Sequence, residues 1–383
     1  MGLPLVPGSA RKRGVDAGRP SRRPGRDCAQ APRCGRPSDG GNRRISAAPD
    51  GRYAKPQAGG PSPVLLGCAS SVSDLARRIL SSNGSLPLRH FLLALAVVAI
   101  WGSNFVVIRL GLNAFPPLLF ATLRFSLAVI PAIFFLPRPE VPWRNLAAYG
   151  ALVGVGQFGL LYLAMGSQIS PGLASLVIQT QVFFTLLLAM RITHEPVRGF
   201  QWLALGLAAC GLAVIASHTD SSTTVLGLGM ILLAAFSWAS GNVVGKKAGR
   251  VNMLAYVVWS SVFAAPPLLL MSLVFEGPAR IGEGLSHAGW GAWGAVAWQA
   301  FANTLFGYGV WSWLLSRHAA SQIVPMALLV PVFGMSTAAW YLDEPLPAWK
   351  LMAAALVLSG LALNLLWPLR PWAKAGNELA TKG

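Results

Sequence analysis

Uncharged polar side chains interrupt the apolar stretch of residues 172–185 at helical spacing. Ser175, Gln179, Gln181 and Thr185 lie among residues that are apolar enough for a bilayer. Such side chains are costly in hydrocarbon unless they are paired or face a cavity. A helix of this composition is therefore predicted to form one wall of a polar path.

These polar residues divide into two helical faces. Gln179 and Gln181 are about 200° apart on a helical wheel, whereas residues four apart share a face. We expect Ser175 and Gln179 to face the path and to contact a solute, and Gln181 and Thr185 to form interhelical hydrogen bonds. Interhelical bonding would also explain the first pair.

Arg124 is the ionisable residue that lies deepest inside an apolar stretch. It follows Pro117 by about seven residues, which is roughly 10 Å along a helix. An arginine at this depth normally faces the interior of a helix bundle or water, so Arg124 is a candidate for binding a carboxylate. The alternative is that it extends outward or donates to backbone carbonyls.

Five amides lie within other apolar stretches. A side-chain amide both donates and accepts, so it can bind both charged groups of a zwitterion. Hydrogen bonding between helices is the alternative role. The residues are Asn104, Gln157, Asn242, Gln299 and Asn303.

Aromatic residues and prolines also occur within these stretches. Trp238 and Tyr308 could bind an ammonium group by cation–π contact, although packing is the alternative. A proline inside a helix frees backbone groups, which favours either gating or simple kinks. The candidates are Pro131, Pro266, Pro267, Pro325 and Pro331.

The composition is that of an integral membrane protein. The 383 residues are 54% hydrophobic and 11% charged, whereas soluble domains have about 25% charged residues. Since about 20 apolar residues span a bilayer, we predict ten transmembrane helices in an all-α fold. They are residues 90–108, 117–136, 145–165, 171–191, 199–217, 224–245, 253–274, 292–315, 320–341 and 350–368.

The second half of the chain repeats motifs of the first. At an offset of 149 residues, Glu195 falls on Glu344 and Gly211 on Gly360; at an offset of 137, Trp101 falls on Trp238. Five helices per copy is an odd number, so we predict two inverted repeats, at 90–217 and 224–368. Inverted repeats place the site near the midplane and permit alternating access. Glu195 and Glu344 are expected to cap a helix or to pair locally.

Basic residues predict the topology. Connections on one side of the ten segments, with the C-terminal tail 369–383, carry eleven Lys and Arg against three on the other side. The positive-inside rule therefore predicts that both termini are cytoplasmic.

The first 89 residues form a basic tail with 16 Lys and Arg and five Asp. Their composition predicts disorder and includes no signal peptide. A nucleic-acid arm or a tether to anionic lipid is possible on charge alone. We favour a solvated extension or a start site assigned too early, and expect no nucleic-acid partner.

The apolar stretches contain no catalytic or metal-binding motif. The acids, the histidines and the scattered cysteines offer no metal-ligand spacing, and no Walker A loop is present. We expect no cofactor, no metal and no enzymatic activity, although a membrane-embedded enzyme is the alternative from another class. Because no titratable group lies in the predicted path, facilitated diffusion or exchange is favoured over proton coupling.

Several motifs from Phe91 onward resemble the EamA-type branch of the drug/metabolite transporter superfamily, and are most similar to its bacterial exporters of O-acetylserine and cysteine. The resemblance implies a ten-helix protein of the bacterial inner membrane that exports small zwitterionic metabolites. A carrier of drugs or other metabolites is the alternative within the superfamily. The motifs include WGSNFVVI at 101–108, GLASLV at 172–177, FSWASGN at 236–242 and LLVPV at 328–332.

Overall fold

The computed structural model describes residues 86–193, 198–219 and 223–367, and every regular element there is a helix. The all-α prediction is confirmed for these residues. Glu195 and nearly all of the two tails lie outside the described residues.

Five helices make up the first half of the described chain. They are α1 (Leu88–Leu112), α2 (Pro117–Ala132), α3 (Trp143–Ser167), α4 (Pro171–Ile192) and α5 (Gly199–Ala216). Proline at the first helical position helps α2 and α4 to begin where they do, since its fixed backbone angle suits the first turn.

The second half contains helices α6 to α12. Thr224 and Asn252 cap the first two of them by accepting from Gly227 N at 2.9 Å and Ala255 N at 3.2 Å. The helices are α6 (Val225–Lys247), α7 (Met253–Ser261), α8 (Ala265–Met271), α9 (Gly277–His287), α10 (290–317), α11 (Ala320–Leu342) and α12 (Ala348–Leu366).

Eight helical stretches of the described residues are long and apolar enough to cross a membrane, with Met253–His287 counted as one of them. At 16 residues α2 is shorter, and it ends at Ala132, just after Pro131. The predicted seventh segment is broken after Ser261, because Pro266 and Pro267 begin a new helix. The number ten and the inverted arrangement stay predictions.

Five helical stretches of the described residues have an irregular pitch. Residues 150–159 of α3, residues 272–276 between α8 and α9, and residues 298–306 of α10 are π-helical, while residues 178–180 of α4 and 324–328 of α11 form tighter 3₁₀ turns. π-Helical turns rotate the following side chains relative to a regular helix and are frequent at functional sites.

Glycines allow two pairs of helices to approach closely. A Cβ on Gly360 of α12 would lie 2.6 Å from the carbonyl oxygen of Ala204 in α5, and one on Gly211 would lie 2.6 Å from Val357. A Cβ on Gly102 of α1 would lie 2.5 Å from Phe333 Cβ in α11. Small residues at such crossings bring helix backbones into contact.

Two buried carboxylates join helices from the two halves. Glu276 accepts hydrogen bonds from the backbone of α2, at Leu118 N (2.6 Å) and Leu119 N (3.0 Å). Glu344 accepts from Gly172 N of α4 at 2.9 Å and pairs with Lys350 at 3.0 Å. The prediction that Glu344 caps a helix and pairs locally is confirmed.

Candidate functional site

A cavity lies between α1, α3, α4, α6, α10 and α11. It has about 540 Å³ of empty space, part of which is continuous with the surroundings. Its twelve lining residues include no Asp, Glu, His, Lys or Arg. The lining consists of the amides Asn104, Gln157, Gln179 and Asn303, the aromatics Trp101, Trp238 and Tyr308, and the apolar residues Phe105, Phe158, Leu161, Ile178 and Val330.

Six of the ten candidate residues named from the sequence meet at this cavity. Three of them lie on or beside an irregular turn: Gln157 and Asn303 in the π-helical turns of α3 and α10, and Gln179 in the 3₁₀ turn of α4. The six are Asn104, Gln157, Gln179, Trp238, Asn303 and Tyr308.

Arg124 is buried behind the cavity wall, with 1% of its surface exposed. Its Nη1 donates to the Tyr162 hydroxyl at 3.3 Å and its Nη2 to Thr304 Oγ1 at 3.0 Å. Its guanidinium carbon lies 3.9 Å from the ring centroid of Phe158, which lines the cavity. Arg124 therefore neither extends outward nor binds backbone carbonyls.

A chain of hydrogen bonds links Arg124 to the cavity. The Tyr162 hydroxyl donates to Gln299 Oε1 at 3.0 Å, and Gln299 Nε2 donates to Asn104 Oδ1 at 2.7 Å. Tyr162, Gln299 and Thr304 are buried, and of the three Gln299 was among the amides predicted either to bind a zwitterion or to join helices. Gln299 stands out in the sequence as an amide within an apolar stretch. The structural role of the two hydroxyls has no signal in the sequence beyond their position inside such stretches.

Two buried polar atoms near the cavity have no hydrogen-bond partner among the described residues. They are Gln157 Oε1, in the cavity wall, and Arg124 Nε, behind it. Buried polar groups are normally paired, so each such atom calls for an explanation. Gln157 Oε1 offers an acceptor to a bound molecule.

Ser175 does not line the cavity. Its hydroxyl donates to Gly172 O at 2.7 Å, and its side chain packs against Gly334 of α11. The expectation that it shares a face with Gln179 assumed a regular helix. The 3₁₀ turn at Ile178–Thr180 changes the angle between the two side chains.

Asn242 does not line the cavity either. Its Nδ2 donates to Gln181 Oε1 at 2.9 Å and lies 3.3 Å from Thr185 Oγ1, and these contacts join α6 to α4. The interhelical role predicted for Gln181 and Thr185 is confirmed, and Asn242 belongs to the same group of hydrogen bonds.

Aromatic rings form one corner of the cavity. The ring centroid of Trp101 lies 5.7 Å from that of Tyr308 and 5.1 Å from that of Trp311. Trp101 Nε1 donates to the Asn303 carbonyl at 3.0 Å, which fixes the indole against α10. The rings of Trp101 and Tyr308 line the cavity and can contact apolar or cationic groups.

The described residues contain no group of three or more His, Cys, Asp or Glu that could hold a metal ion. What the cavity offers is neutral amides and aromatic faces, a combination found in small-molecule sites. Long apolar helices around such a cavity define a membrane protein that handles small solutes.

The chain belongs to the EamA-like transporter family, whose sequence profile matches residues 88–217 and again residues 225–366. It is similar to proteins named probable amino-acid metabolite efflux pump. The identity is 41% for that of Salmonella typhimurium (strain LT2), over 71% of this chain and 93% of the relative. It is 39% for that of Escherichia coli (strain K12), over 74% and 96%.

More distant relatives match over a similar share of this chain. The uncharacterized inner membrane transporter YedA of Escherichia coli (strain K12) is 26% identical over 75% of this chain and 94% of its own. A protein of known crystal structure matches with a TM-score of 0.52 and 18% identity, over 74% of this chain and 99% of its own. With the apolar helices, these findings make the chain a multi-pass membrane protein.

Proposed function

We propose that this protein exports small zwitterionic amino-acid metabolites, with cysteine and O-acetylserine as the favoured substrates. The observation that carries the proposal is the cavity itself, which four amides and five aromatic side chains line without an ionised side chain. Relatives at 39–41% identity are named for amino-acid metabolite efflux, which supports the same class of solute.

The wall chemistry suits a zwitterion. Gln157, Gln179 and Asn303 each carry a donor and an acceptor, and Asn104 offers its Nδ2 donor, so together they can bind a carboxylate and an ammonium group. The unpaired Oε1 of Gln157 is suited to an ammonium group, and Trp238 and Tyr308 offer aromatic faces to the same charge. Arg124 adds a positive charge behind Phe158, which favours a solute that carries a carboxylate.

Alternating access between two inverted halves is the mechanism that we propose. The irregular turns support it: π-helical turns occur in α3 and α10, and 3₁₀ turns in α4 and α11. These helices correspond at the offset of 149 residues between the two halves. Both termini would lie on the cytoplasmic side of the inner membrane, as the basic residues in the connections indicate.

The cavity lining supports transport without proton coupling. No Asp, Glu or His is among its residues, and a proton-coupled carrier usually places a titratable group in the path. This composition supports our proposal of facilitated diffusion or exchange.

Uptake of labelled cysteine and O-acetylserine into inside-out vesicles tests substrate and coupling together. We expect saturable uptake that a pH gradient does not change. Gln179→Leu, which removes an amide of the lining, should abolish most of it. Gln181→Leu removes an amide two residues away, outside the lining, and should retain it at equal levels of inserted protein.

Absence of uptake by inserted wild-type protein would overturn the proposal. Competition by unrelated drugs at the same concentrations would instead favour the drug-carrier alternative. Chemical conversion of either solute by purified protein would favour the membrane-embedded enzyme. Deletion of residues 1–85 should leave uptake unchanged, and loss of uptake would give the basic tail a role in transport.

A further inference from the structure

We propose that Arg124 sets the direction of the hydrogen-bond chain that ends at Asn104, and thereby makes Asn104 a donor to the carboxylate of the substrate. The inference rests on the proposed function, because it names the substrate group that one part of the wall binds. Arg124 is here a positioning residue, since its guanidinium does not line the cavity.

The chain begins with a group that can only donate. A guanidinium has five N–H groups and no acceptor, and Arg124 Nη1 lies 3.3 Å from the Tyr162 hydroxyl oxygen. The hydroxyl oxygen therefore accepts at this contact, and its own proton points elsewhere. The Gln299 side chain lies 3.0 Å away. It must present its carbonyl oxygen to receive that proton.

The amide orientation of Gln299 fixes that of Asn104. With Oε1 of Gln299 at Tyr162, its Nε2 faces Asn104 at 2.7 Å and donates to Oδ1. The amide orientation of Asn104 follows, because its oxygen is already engaged. Nδ2 of Asn104 has no acceptor among the described residues and belongs to a side chain that lines the cavity.

A second hydroxyl, that of Thr304, also accepts from Arg124 and donates toward Gln299. Thr304 Oγ1 accepts from Arg124 Nη2 at 3.0 Å and donates to the backbone carbonyl of Gln299 at 2.8 Å. If the amides of Gln299 and Asn104 were both reversed, the Tyr162 proton would face an NH₂ group. A buried donor would then lose its acceptor, which is unfavourable.

The cavity end of the chain suits an anionic oxygen. Nδ2 donates and cannot accept, and the charge of Arg124 favours an anion across the apolar wall. The ion pair in the described part of the chain is Lys350–Glu344, so no described carboxylate neutralises Arg124. A solute without a carboxylate would leave Nδ2 unpaired, and it should bind more weakly.

Cysteine and cysteamine separate this inference from general solute binding, because they share a thiol and an amine and differ in the carboxylate. Uptake of each is measured with the full-length protein in inside-out vesicles. The wild type should prefer cysteine by about tenfold, the effect of one unpaired buried donor.

Two variants test the chain. Asn104→Asp places an anionic acceptor at the cavity end, and it should bring the cysteine-to-cysteamine ratio below one. Tyr162→Phe removes the hydroxyl that transmits the direction, so both amides can reverse, and the ratio should fall to about one. Gln181→Glu and Tyr256→Phe make the same chemical changes outside the chain and should keep the wild-type ratio.

The outcomes distinguish the two proposals. If the inserted wild type takes up neither solute, the proposed export function fails. If it takes up cysteine but both variants keep the wild-type ratio, export stands and the directional chain is overturned. Should Asn104→Asp fail to insert, the near-isosteric Tyr162→Phe decides the question alone.

Discussion

Arg124 lies behind Phe158, with its guanidinium carbon 3.9 Å from the ring centroid, and the ring separates it from the cavity. Phe125 lies against the same group at 4.6 Å. An aromatic face attracts a cation, so the two rings partly replace the carboxylate that usually accompanies a buried arginine. The cavity wall is therefore neutral on its surface and positive behind it.

Replacing Arg124 should weaken solute binding. Arg124→Met removes the positive charge and the two hydrogen bonds that Arg124 donates, and we expect the KM for cysteine uptake to rise about tenfold, corresponding to about 1.4 kcal/mol. Arg124→Lys keeps a cation that only donates, so its KM should lie between those of the wild type and Arg124→Met. Uptake kinetics per inserted protein measure the difference. An unchanged KM in Arg124→Met would show that the charge does not act on the cavity.

Gln157 and Gln299 are buried amides with opposite expected responses to the same substitution. Gln157 Oε1 has no partner among the described residues, so Gln157→Leu should leave the unfolding temperature unchanged or raise it, while cysteine uptake falls. Gln299 joins Tyr162 to Asn104, so Gln299→Leu leaves both unpaired and should cost about 1–3 kcal/mol for each.

Thermal unfolding in detergent and vesicle uptake, measured on the same preparations, check this contrast. Equal destabilisation by Gln157→Leu and Gln299→Leu would assign Gln157 a structural role. Full uptake by a stable Gln157→Leu variant would remove it from the proposed binding site.

The apolar segments were predictable from the sequence because the length of an apolar run is a local property. The described helices begin and end within a few residues of most predicted segments. Pro266 and Pro267 were expected to interrupt the seventh segment, and the structure ends one helix at Ser261 and begins the next around these prolines. The helix α9 (Gly277–His287) was missed, because it lies in what was expected to be a connection.

The candidate site was predictable in composition and less so in geometry. Uncharged amides in hydrocarbon pointed to Asn104, Gln157, Gln179 and Asn303, which meet at the cavity. The role of Arg124 depends on partners 38 and 180 residues away, which no local pattern reveals.

The ion pair Lys350–Glu344 should show the stability pattern of a buried pair. Their side chains are 5% and 7% exposed, and Glu344 also accepts from the backbone of α4 at Gly172. Lys350→Met leaves a buried carboxylate without its cation and should cost about 3–5 kcal/mol. The double variant Lys350→Met with Glu344→Gln should cost less than the single one, because no uncompensated charge remains.

Unfolding temperatures of the wild type, both single variants and the double variant form the test. A double variant less stable than Lys350→Met would contradict the prediction, since Glu344→Gln would then add to the loss of stability instead of reducing it. The exposed cation Lys246 provides the control, and Lys246→Met should change stability by less than about 0.5 kcal/mol.

The contact between α5 and α12 should tolerate no methyl group at Gly360. A Cβ there would lie 2.6 Å from the backbone carbonyl of Ala204, and this backbone cannot move without displacing α5. We expect Gly360→Ala to lower stability by about 1–3 kcal/mol, as overpacking does. Gly206 lies on α5, and a Cβ added to it would have no neighbouring atom within 4 Å, so Gly206→Ala should instead raise stability by up to about 1 kcal/mol through helix propensity. Thermal unfolding of the two variants in the same detergent tests this prediction. Equal changes in unfolding temperature would show that α5 and α12 do not pack as described.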